Sequence, residues 1–335
     1  MKIVFFGTQP YDRDSFDRIS GEYAFQIEYT ESHLNIGTVS LASGADAVCI
    51  FVNDTADAET IGALSRQGIK LIALRCAGYN NVDLRAAAEY GIKVVRVPAY
   101  SPHAVAEYTV ALMLTLNRRI HRAVWRTRDG NFSLHGLLGF DMYGKTAGII
   151  GTGRIAKVLI HILRGFGMNV MAYDLYPDMD FAKKEGIGYV TLDELYQRSD
   201  IISLHCPLTD QTRYMIDAAA IDRMKPGVMI INTGRGQLIH TEALIEGLKS
   251  KKVGSAALDV YEEEAGYFYE DTSDRVMDDD VLARVLSFNN VIVTSHQAFF
   301  TREALENIAR TTLDNLRAFD EGTALVNEVS LNAGR

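Results

Sequence analysis

Three charged side chains follow three apolar, strand-length runs in the second half of the chain. Arg235 lies in Asn232-Thr233-Gly234-Arg235-Gly236 after the run 228–231, Glu264 in Asp259-Val260-Tyr261-Glu262-Glu263-Glu264 after 255–258, and His296 in Ser295-His296-Gln297 after 291–294. Ligands of open parallel α/β sheets bind beyond the carboxyl ends of the strands, so all three stand on the side where chemistry occurs. An arginine fork matches a carboxylate bidentately. A histidine titrates near neutral pH, and a carboxylate beside it fixes the ring and favours its protonated form. The trio therefore suits proton transfer on an anionic substrate. Plainer readings stay open at this level. The chain has eight histidines, His205 also follows a strand-like run, and Glu264 sits in an acid-rich stretch where it could be one solvated charge among many.

A second motif supplies a place for a redox partner. Ala147-Gly148-Ile149-Ile150-Gly151-Thr152-Gly153-Arg154-Ile155-Ala156 runs from an apolar strand through a glycine turn into a helix. Gly151 permits the reversal, Gly153 lets the main chain approach a pyrophosphate, and Ala156 lets the helix pack close to the strand. The helix N-terminus offers free N–H groups and the positive end of its dipole. Taken alone, the spacing is equally that of an ordinary strand-to-helix turn. Asp174 closes the next apolar run, 169–173. It lies about 20 residues beyond the glycines, where an acid hydrogen-bonds the adenosine ribose hydroxyls, and this favours a dinucleotide site. An acid there also repels the extra phosphate of NADP, which selects NAD.

The elements that must position these groups follow from periodicity. Runs at 2–6, 25–29, 47–52, 70–74 and 93–97 have strand length and composition, with helical patterns at 56–67 and 83–90 between some of them. Such alternation implies a parallel sheet with crossovers. The strand at 70–74 leads into Arg75-Cys76-Ala77-Gly78-Tyr79-Asn80-Asn81-Val82-Asp83. Gly78 there either offers backbone N–H groups to a carboxylate or merely starts a helix. Pro98 and Pro102 mark a domain crossing, with Ser101 capping a helix that runs to about 121. Residues 125–144 read as an irregular connection. Beyond the glycine motif come a helix at 192–197, strands at 200–205, 228–231, 255–258 and 291–294, and a helix at 242–249, which complete a doubly wound sheet. The acidic stretch 262–280 reads as a solvated loop, and a final amphipathic helix at 301–319 is expected to pack back on the first domain. The expected domains are therefore 1–100 plus 300–335, and 101–299.

Bulk properties narrow the function classes. A chain of 335 residues, 47% apolar and 23% charged, has room for two cores. A net charge of −9 argues against a nucleic-acid partner, which requires a basic face. Arg118, Arg119, Arg122, Arg126 and Arg128 form the one basic cluster, read as a solvated or subunit-contacting helix face. Cys49, Cys76 and Cys206 are scattered and odd in number, so they read as reduced core thiols of a cytoplasmic protein, with neither a disulfide frame nor a zinc pattern. The apolar segment 110–116 is too short to span a membrane, and the opening apolar run 3–6 is a strand and not a signal peptide.

Over nearly its whole length the chain resembles the D-specific 2-hydroxyacid dehydrogenases. The likeness rests on Ala77-Gly78-Tyr79-Asn80-Asn81-Val82-Asp83 and on the stretches 101–114, 151–156, 232–236, 258–264 and 294–301, in that order. It implies two Rossmann-like or flavodoxin-like α/β domains with cofactor and substrate in the cleft between them. It also implies NAD as the cofactor, a small 2-keto or 2-hydroxy acid such as pyruvate as the substrate, and a homodimer. By resemblance, Arg235 binds the substrate carboxylate, His296 is the general acid/base and Glu264 hydrogen-bonds it. Ala77 and Gly78 hold the carboxylate, and Tyr100 and Phe299 line the substrate pocket. Gly151, Gly153, Arg154, Ile155, Asp174, Cys206, Pro207, Thr233 and Asp259 lie on or near the cofactor. Three positions depart from the family pattern: Ala156 replaces the third glycine, Ser295 a frequent proline, and Phe300 a frequent tyrosine. These touch substrate detail and leave the reaction class intact. The rivals are a dehydrogenase for bulkier keto acids, such as 2-ketoisocaproate or phenylpyruvate, and a non-enzymatic NAD-sensing interaction module.

Overall fold

Apolar strands alternate with helices from the first residues onward. In the computed structural model, which describes residues 1–264 and 266–330, the pairings between strands are parallel. Parallel strands are covered by helices on both faces, which is why their runs are apolar throughout instead of alternating. The chain forms two compact units, Met1–Ser101 with Phe300–Arg335, and Pro102–Phe299. The end of the first unit at 331–335 lies outside the described residues.

The first unit opens with β1 (Lys2–Phe5), α1 (Pro10–Ser20), β2 (Gln26–Tyr29), β3 (Ala47–Ile50), α2 (Ala58–Arg66), β4 (Leu71–Leu74), α3 (Leu84–Glu89) and β5 (Lys93–Val95). Its sheet has the order β2-β1-β3-β4-β5, the flavodoxin-like arrangement. Helix α1 escapes the periodicity argument because only Asp12, Phe16 and Ile19 of its 11 residues are buried. Local chemistry starts it instead: Pro10 opens the first turn, and Gln9 and Asp12 form a reciprocal cap.

The second unit contains α4 (Pro102–Arg118), α5 (Ile120–Arg128), β6 (Thr146–Ile150), α6 (Arg154–Gly165), β7 (Asn169–Tyr173), α7 (Met179–Glu185), β8 (Gly188–Tyr189), α8 (Leu192–Arg198), β9 (Ile201–Leu204), α9 (Ala218–Arg223), β10 (Val228–Asn232), α10 (Thr241–Lys249), β11 (Val253–Leu258), α11 (Asp280–Leu286) and β12 (Val291–Val293). Its strands are ordered β12-β11-β10-β9-β6-β7-β8, so the winding reverses between β6 and β9, the switch point at which such sheets bind ligands. One face is covered by α4 and α6 through Ala106, Val110, Met113, Leu159 and Leu163. The other is covered by Leu195, Ile221, Leu244 and Leu248. After this unit α12 (Arg302–Asp320), capped by Thr301 Oγ1 on Ala304 N–H, belongs to the first unit and packs on α1 and β4.

Four expectations need correction. The helix expected to run from Pro102 to about 121 ends at Arg118, because Arg119 turns left-handed at φ 49°. A separate helix, α5, then carries the chain to Arg128, so the stretch 125–144 begins helical. The acidic stretch 262–280 is not simply solvated. Phe268 is buried with Tyr261 and Leu282, Tyr267 and Tyr269 pack against that cluster, and Asp280 already belongs to α11. Aromatic side chains thus anchor a segment whose charges suggest the opposite. Cys49 and Cys76 are buried free thiols, whereas Cys206 is only partly buried.

Candidate active site

Strand register brings the chemical groups of the second unit to one edge. Asn232 pairs with Leu258, and Leu258 with Val293, forming one row across β10, β11 and β12. Arg235 and His296 each follow that row by three residues, two strands apart, a lateral spacing of roughly 10 Å. Beyond β10, Asn232 Nδ2 donates to the Arg235 carbonyl at 2.9 Å, and its Oδ1 accepts from Gly234 N–H at 3.0 Å. This buried asparagine shapes the arginine turn. A Cβ on Gly236 would lie 2.0 Å from the Tyr261 carbonyl carbon, so glycine is required for that turn to pack against the loop after β11. Arg235 is partly exposed, its Nη1 donates to the Gly234 carbonyl at 2.7 Å, and among the described residues no carboxylate pairs with it. Its fork retains donors for an anion.

The structure joins His296 and Glu264. His296 Nδ1 lies 2.9 Å from Glu264 Oε1, with both side chains largely buried, and Glu264 Oε2 accepts from Tyr261 N–H at 3.1 Å. The carboxylate thereby orients the ring so that Nε2 is the nitrogen left for proton transfer. His296 itself has φ 52°, a left-handed conformation that a non-glycine residue holds only when its surroundings enforce it. Asp259 is the enforcing centre. It is wholly buried; its Oδ1 accepts from Thr294 Oγ1 at 2.6 Å and Gln297 N–H at 2.9 Å, its Oδ2 from Ala298 N–H at 2.8 Å, and its carbonyl from His296 N–H at 2.7 Å. Burial raises the Asp259 pKa, against the lowering pull of those hydrogen bonds and of His296.

His205, the competing histidine, is excluded from proton transfer near neutral pH. Its Nε2 meets Ser203 Oγ at 2.8 Å, and desolvation lowers its pKa to about 4, keeping it neutral.

At the switch point the glycine turn fits a dinucleotide. Gly151 has φ +88°, and a Cβ there would come within 2.6 Å of Cys206 N, so the turn closes tightly on the end of β9. A Cβ on Gly153 would meet nothing within 4 Å, leaving the main chain at the start of α6 open to a bulky anion. Arg154 is exposed and Ile155 partly so on the first turn of that helix. Asp174 Oδ2 accepts from Thr152 N–H at 2.6 Å and Thr152 Oγ1 at 2.8 Å, and Oδ1 from Tyr176 N–H at 2.8 Å. Burial opposes its ionisation, but these bonds and Lys157 outweigh that and hold the carboxyl below the usual range. It is an oriented carboxylate at the end of β7. Cys206 has its thiol pushed up to about 12 by burial, so it is no nucleophile. The Pro207 carbonyl accepts from Thr212 Oγ1 at 2.7 Å, and Thr233 Oγ1 pairs with Thr109 Oγ1 at 3.1 Å.

In the first unit, the turn after β4 displays the features of a carboxylate cradle. Arg96 Nη1 donates to the Ala77 carbonyl at 2.8 Å and Cys76 Sγ to the Gly78 carbonyl at 3.3 Å. The carbonyls are thus engaged, while no acceptor among the described residues takes the Ala77 or Gly78 N–H. Beneath it lies Arg75, whose fully buried guanidinium donates to the Gly7 carbonyl at 2.8 Å and pairs with Asp12 at 3.4 Å. Tyr100 is partly buried, and its carbonyl accepts from Asn307 Nδ2 at 2.7 Å. Phe299 is buried at the end of the second unit. Arg75, Tyr261 and Tyr269 support these groups without carrying a spaced chemical motif; the aromatic run 267–269 inside an acidic stretch is the sequence signal for the last of them.

A dinucleotide turn, a histidine–carboxylate pair and an arginine without a carboxylate partner among the described residues, all on one parallel sheet, define an NAD-dependent dehydrogenase, and residues 110–298 match the family model described as D-isomer specific 2-hydroxyacid dehydrogenase, NAD binding domain. The chain belongs to that family, and its cofactor is NAD. It is 51% identical to a D-lactate dehydrogenase of Escherichia coli, over 98% of this chain and 100% of that one. Among solved structures, the apo-structure of D-lactate dehydrogenase from Escherichia coli superposes with a TM-score of 0.90 at 49% identity, covering 98% of this chain and 100% of the other. The pyruvate reductase of Chlamydomonas reinhardtii gives 0.92 at 43% identity, covering 98% of each.

Proposed function

We propose that the protein is an NAD-dependent D-lactate dehydrogenase that reduces pyruvate to D-lactate. The observation that carries this reading is the Glu264–His296 pair at 2.9 Å, held on the same sheet edge as an arginine with no carboxylate partner among the described residues. NADH, when bound, supplies the hydride received by the keto carbon. Gly151, Gly153, Arg154 and Ile155 hold its pyrophosphate and Asp174 its adenosine ribose, with Cys206, Pro207, Thr233 and Asp259 close to the remainder. Arg235 grips the substrate carboxylate and polarises the keto group. We assign the Ala77 and Gly78 N–H groups to carboxylate binding, and Tyr100 and Phe299 to limiting the size of the acyl group. His296, protonated and steadied by Glu264, gives its proton to the keto oxygen as that oxygen becomes a hydroxyl. The roughly 50% identity to named D-lactate dehydrogenases favours this substrate over the bulkier keto acids.

The decisive experiment is a steady-state screen of pyruvate, 2-ketoisocaproate and phenylpyruvate with NADH and NADPH, on wild type and His296→Gln. Pyruvate with NADH is expected to give the highest kcat/KM, and His296→Gln to lose about 10²- to 10⁴-fold. Near-normal turnover in the variant at neutral pH sinks the assignment, and equal efficiency with NADPH sinks the role of Asp174.

The working form in this proposal is a cytoplasmic homodimer. Helix α5 buries none of its residues, and Trp125, Phe132, Leu134 and Leu138 are 66, 76, 83 and 90% exposed, a density of apolar surface that marks a contact face. No helix among the described residues is long and apolar enough to cross a membrane. A single monomeric species in sedimentation at micromolar concentration overturns the dimer.

A further inference from the structure

The loop that delivers Glu264 also delivers a second group to the catalytic histidine. Tyr269, five residues on, places its hydroxyl 2.9 Å from the His296 carbonyl, to which it donates, and sets its ring 5.9 Å from the imidazole at an interplanar angle of 33°. It has a left-handed backbone of its own, φ 69°. Packing against the buried Tyr261, Phe268 and Leu282 holds it in place, and Tyr261 is tied by its hydroxyl to Asp279 at 2.8 Å. His296 is thereby fixed at three atoms: its N–H by the Asp259 carbonyl, its Nδ1 by Glu264, and its carbonyl by Tyr269. A left-handed histidine is disfavoured when nothing enforces it. Releasing the carbonyl lets the peptide rotate towards an ordinary conformation and carries the imidazole off line.

We propose that Tyr269 is a positioning residue for proton transfer, its hydroxyl locking the strained His296 peptide so that the imidazole faces the keto oxygen while staying on Glu264. This rests on the assignment of His296 as the general acid/base. It differs from the role of Glu264, which acts on the ring: Tyr269 acts on the main chain behind it. Glu264 and Tyr269 from the acidic loop and Asp259 from the end of β11 each interact with His296.

The test uses full-length wild type, Tyr269→Phe, Tyr269→Leu and His296→Gln, each followed for pyruvate reduction across pH, NADH affinity by fluorescence quenching, and melting temperature. Tyr269→Phe keeps the ring and loses only the hydrogen bond. Its kcat/KM is expected to fall about fivefold to tenfold, chiefly in kcat. NADH affinity and melting temperature should hold, and KM for pyruvate should change far less than kcat. Tyr269→Leu is expected to lose more. Wild-type kinetics in Tyr269→Phe, or a loss that falls on KM or is matched by lower stability, overturns the proposal. A fully active His296→Gln overturns both this proposal and the general-acid assignment. An inactive His296→Gln beside an unchanged Tyr269→Phe overturns the Tyr269 role alone.

Discussion

The two ends of the seven-stranded sheet solve the problem of fixing a functional group in different ways. Around β6 and β7, the site is made of absences: a left-handed glycine pressed on Cys206, a second glycine facing open space, and an aspartate oriented by the neighbouring Thr152. Around β11 and β12, it is made of side chains that hold one another, with Asp259 gripping residues 294–298, and Glu264 and Tyr269 gripping His296. Binding an anion on backbone amides needs only room and a helix end. Aiming a proton needs a rigid supporting network, since small displacements there are costly.

That contrast is broken most sharply at Asp259. Asp259→Asn cannot accept from three loop donors as the carboxylate does, and it puts an amide donor among them. Freed from that grip, His296 relaxes from its left-handed state. The expected result is a fall in kcat of about a hundredfold or more, with NADH affinity affected far less. Stopped-flow turnover alongside fluorescence titration separates the two, and a variant whose NADH affinity falls as far as its kcat would show that the Asp259 carboxylate serves the cofactor side of the site more than the His296 loop.

The same contrast explains what was legible in the sequence. Gly151, Gly153 and Asp174 lie within one β-α-β stretch, so spacing alone locates them, and the strands read clearly because each is a short run buried on both faces. Arg235, Glu264 and His296 could be placed beyond strand ends, but the register row across β10, β11 and β12 was needed to set them side by side. Tyr269 was hidden because its surroundings are acidic, and the aromatic cluster that anchors it forms only when α11 supplies Leu282. The break at Arg119 was hidden too, since a left-handed arginine leaves no mark in an apolar periodicity. Helix α1 went unseen because its start is set by capping and not by apolar spacing.

At the other end of the sheet, Gly151→Ala tests whether absence is what matters. The added methyl would sit 2.6 Å from Cys206 N and 2.7 Å from the His205 carbonyl carbon, on a residue with φ +88°. Left-handed strain and overpacking together cost about 3 kcal/mol. NADH affinity is expected to weaken at least roughly tenfold, equivalent to about 1.4 kcal/mol, with a melting temperature lowered by several degrees. In enzyme saturated with NADH, kcat should change much less, the mirror image of Asp259→Asn. A drop in saturated kcat as large as the loss in affinity would show that the two ends of the sheet are not separable.

The smallest expected effect is on stability, and it distinguishes the two histidines that follow strands. His205 has its pKa lowered to about 4 by desolvation, from an ordinary value of about 6.5. The unfolded chain therefore binds a proton at this site through the window between those values, while the folded protein does not. Stability must rise with pH across that window and fall as the solution is acidified. Below pH 6.5 the loss grows to about 2 kcal/mol by pH 5; above it the contribution is flat. Replacing the ring with an amide that can still meet Ser203, as in His205→Gln, should flatten this part of the profile of melting temperature against pH. It should also leave kcat for pyruvate at neutral pH where it was. If His205→Gln lowers kcat as His296→Gln does, the division of labour between a neutral histidine at the switch point and a proton-transferring one beyond β12 fails.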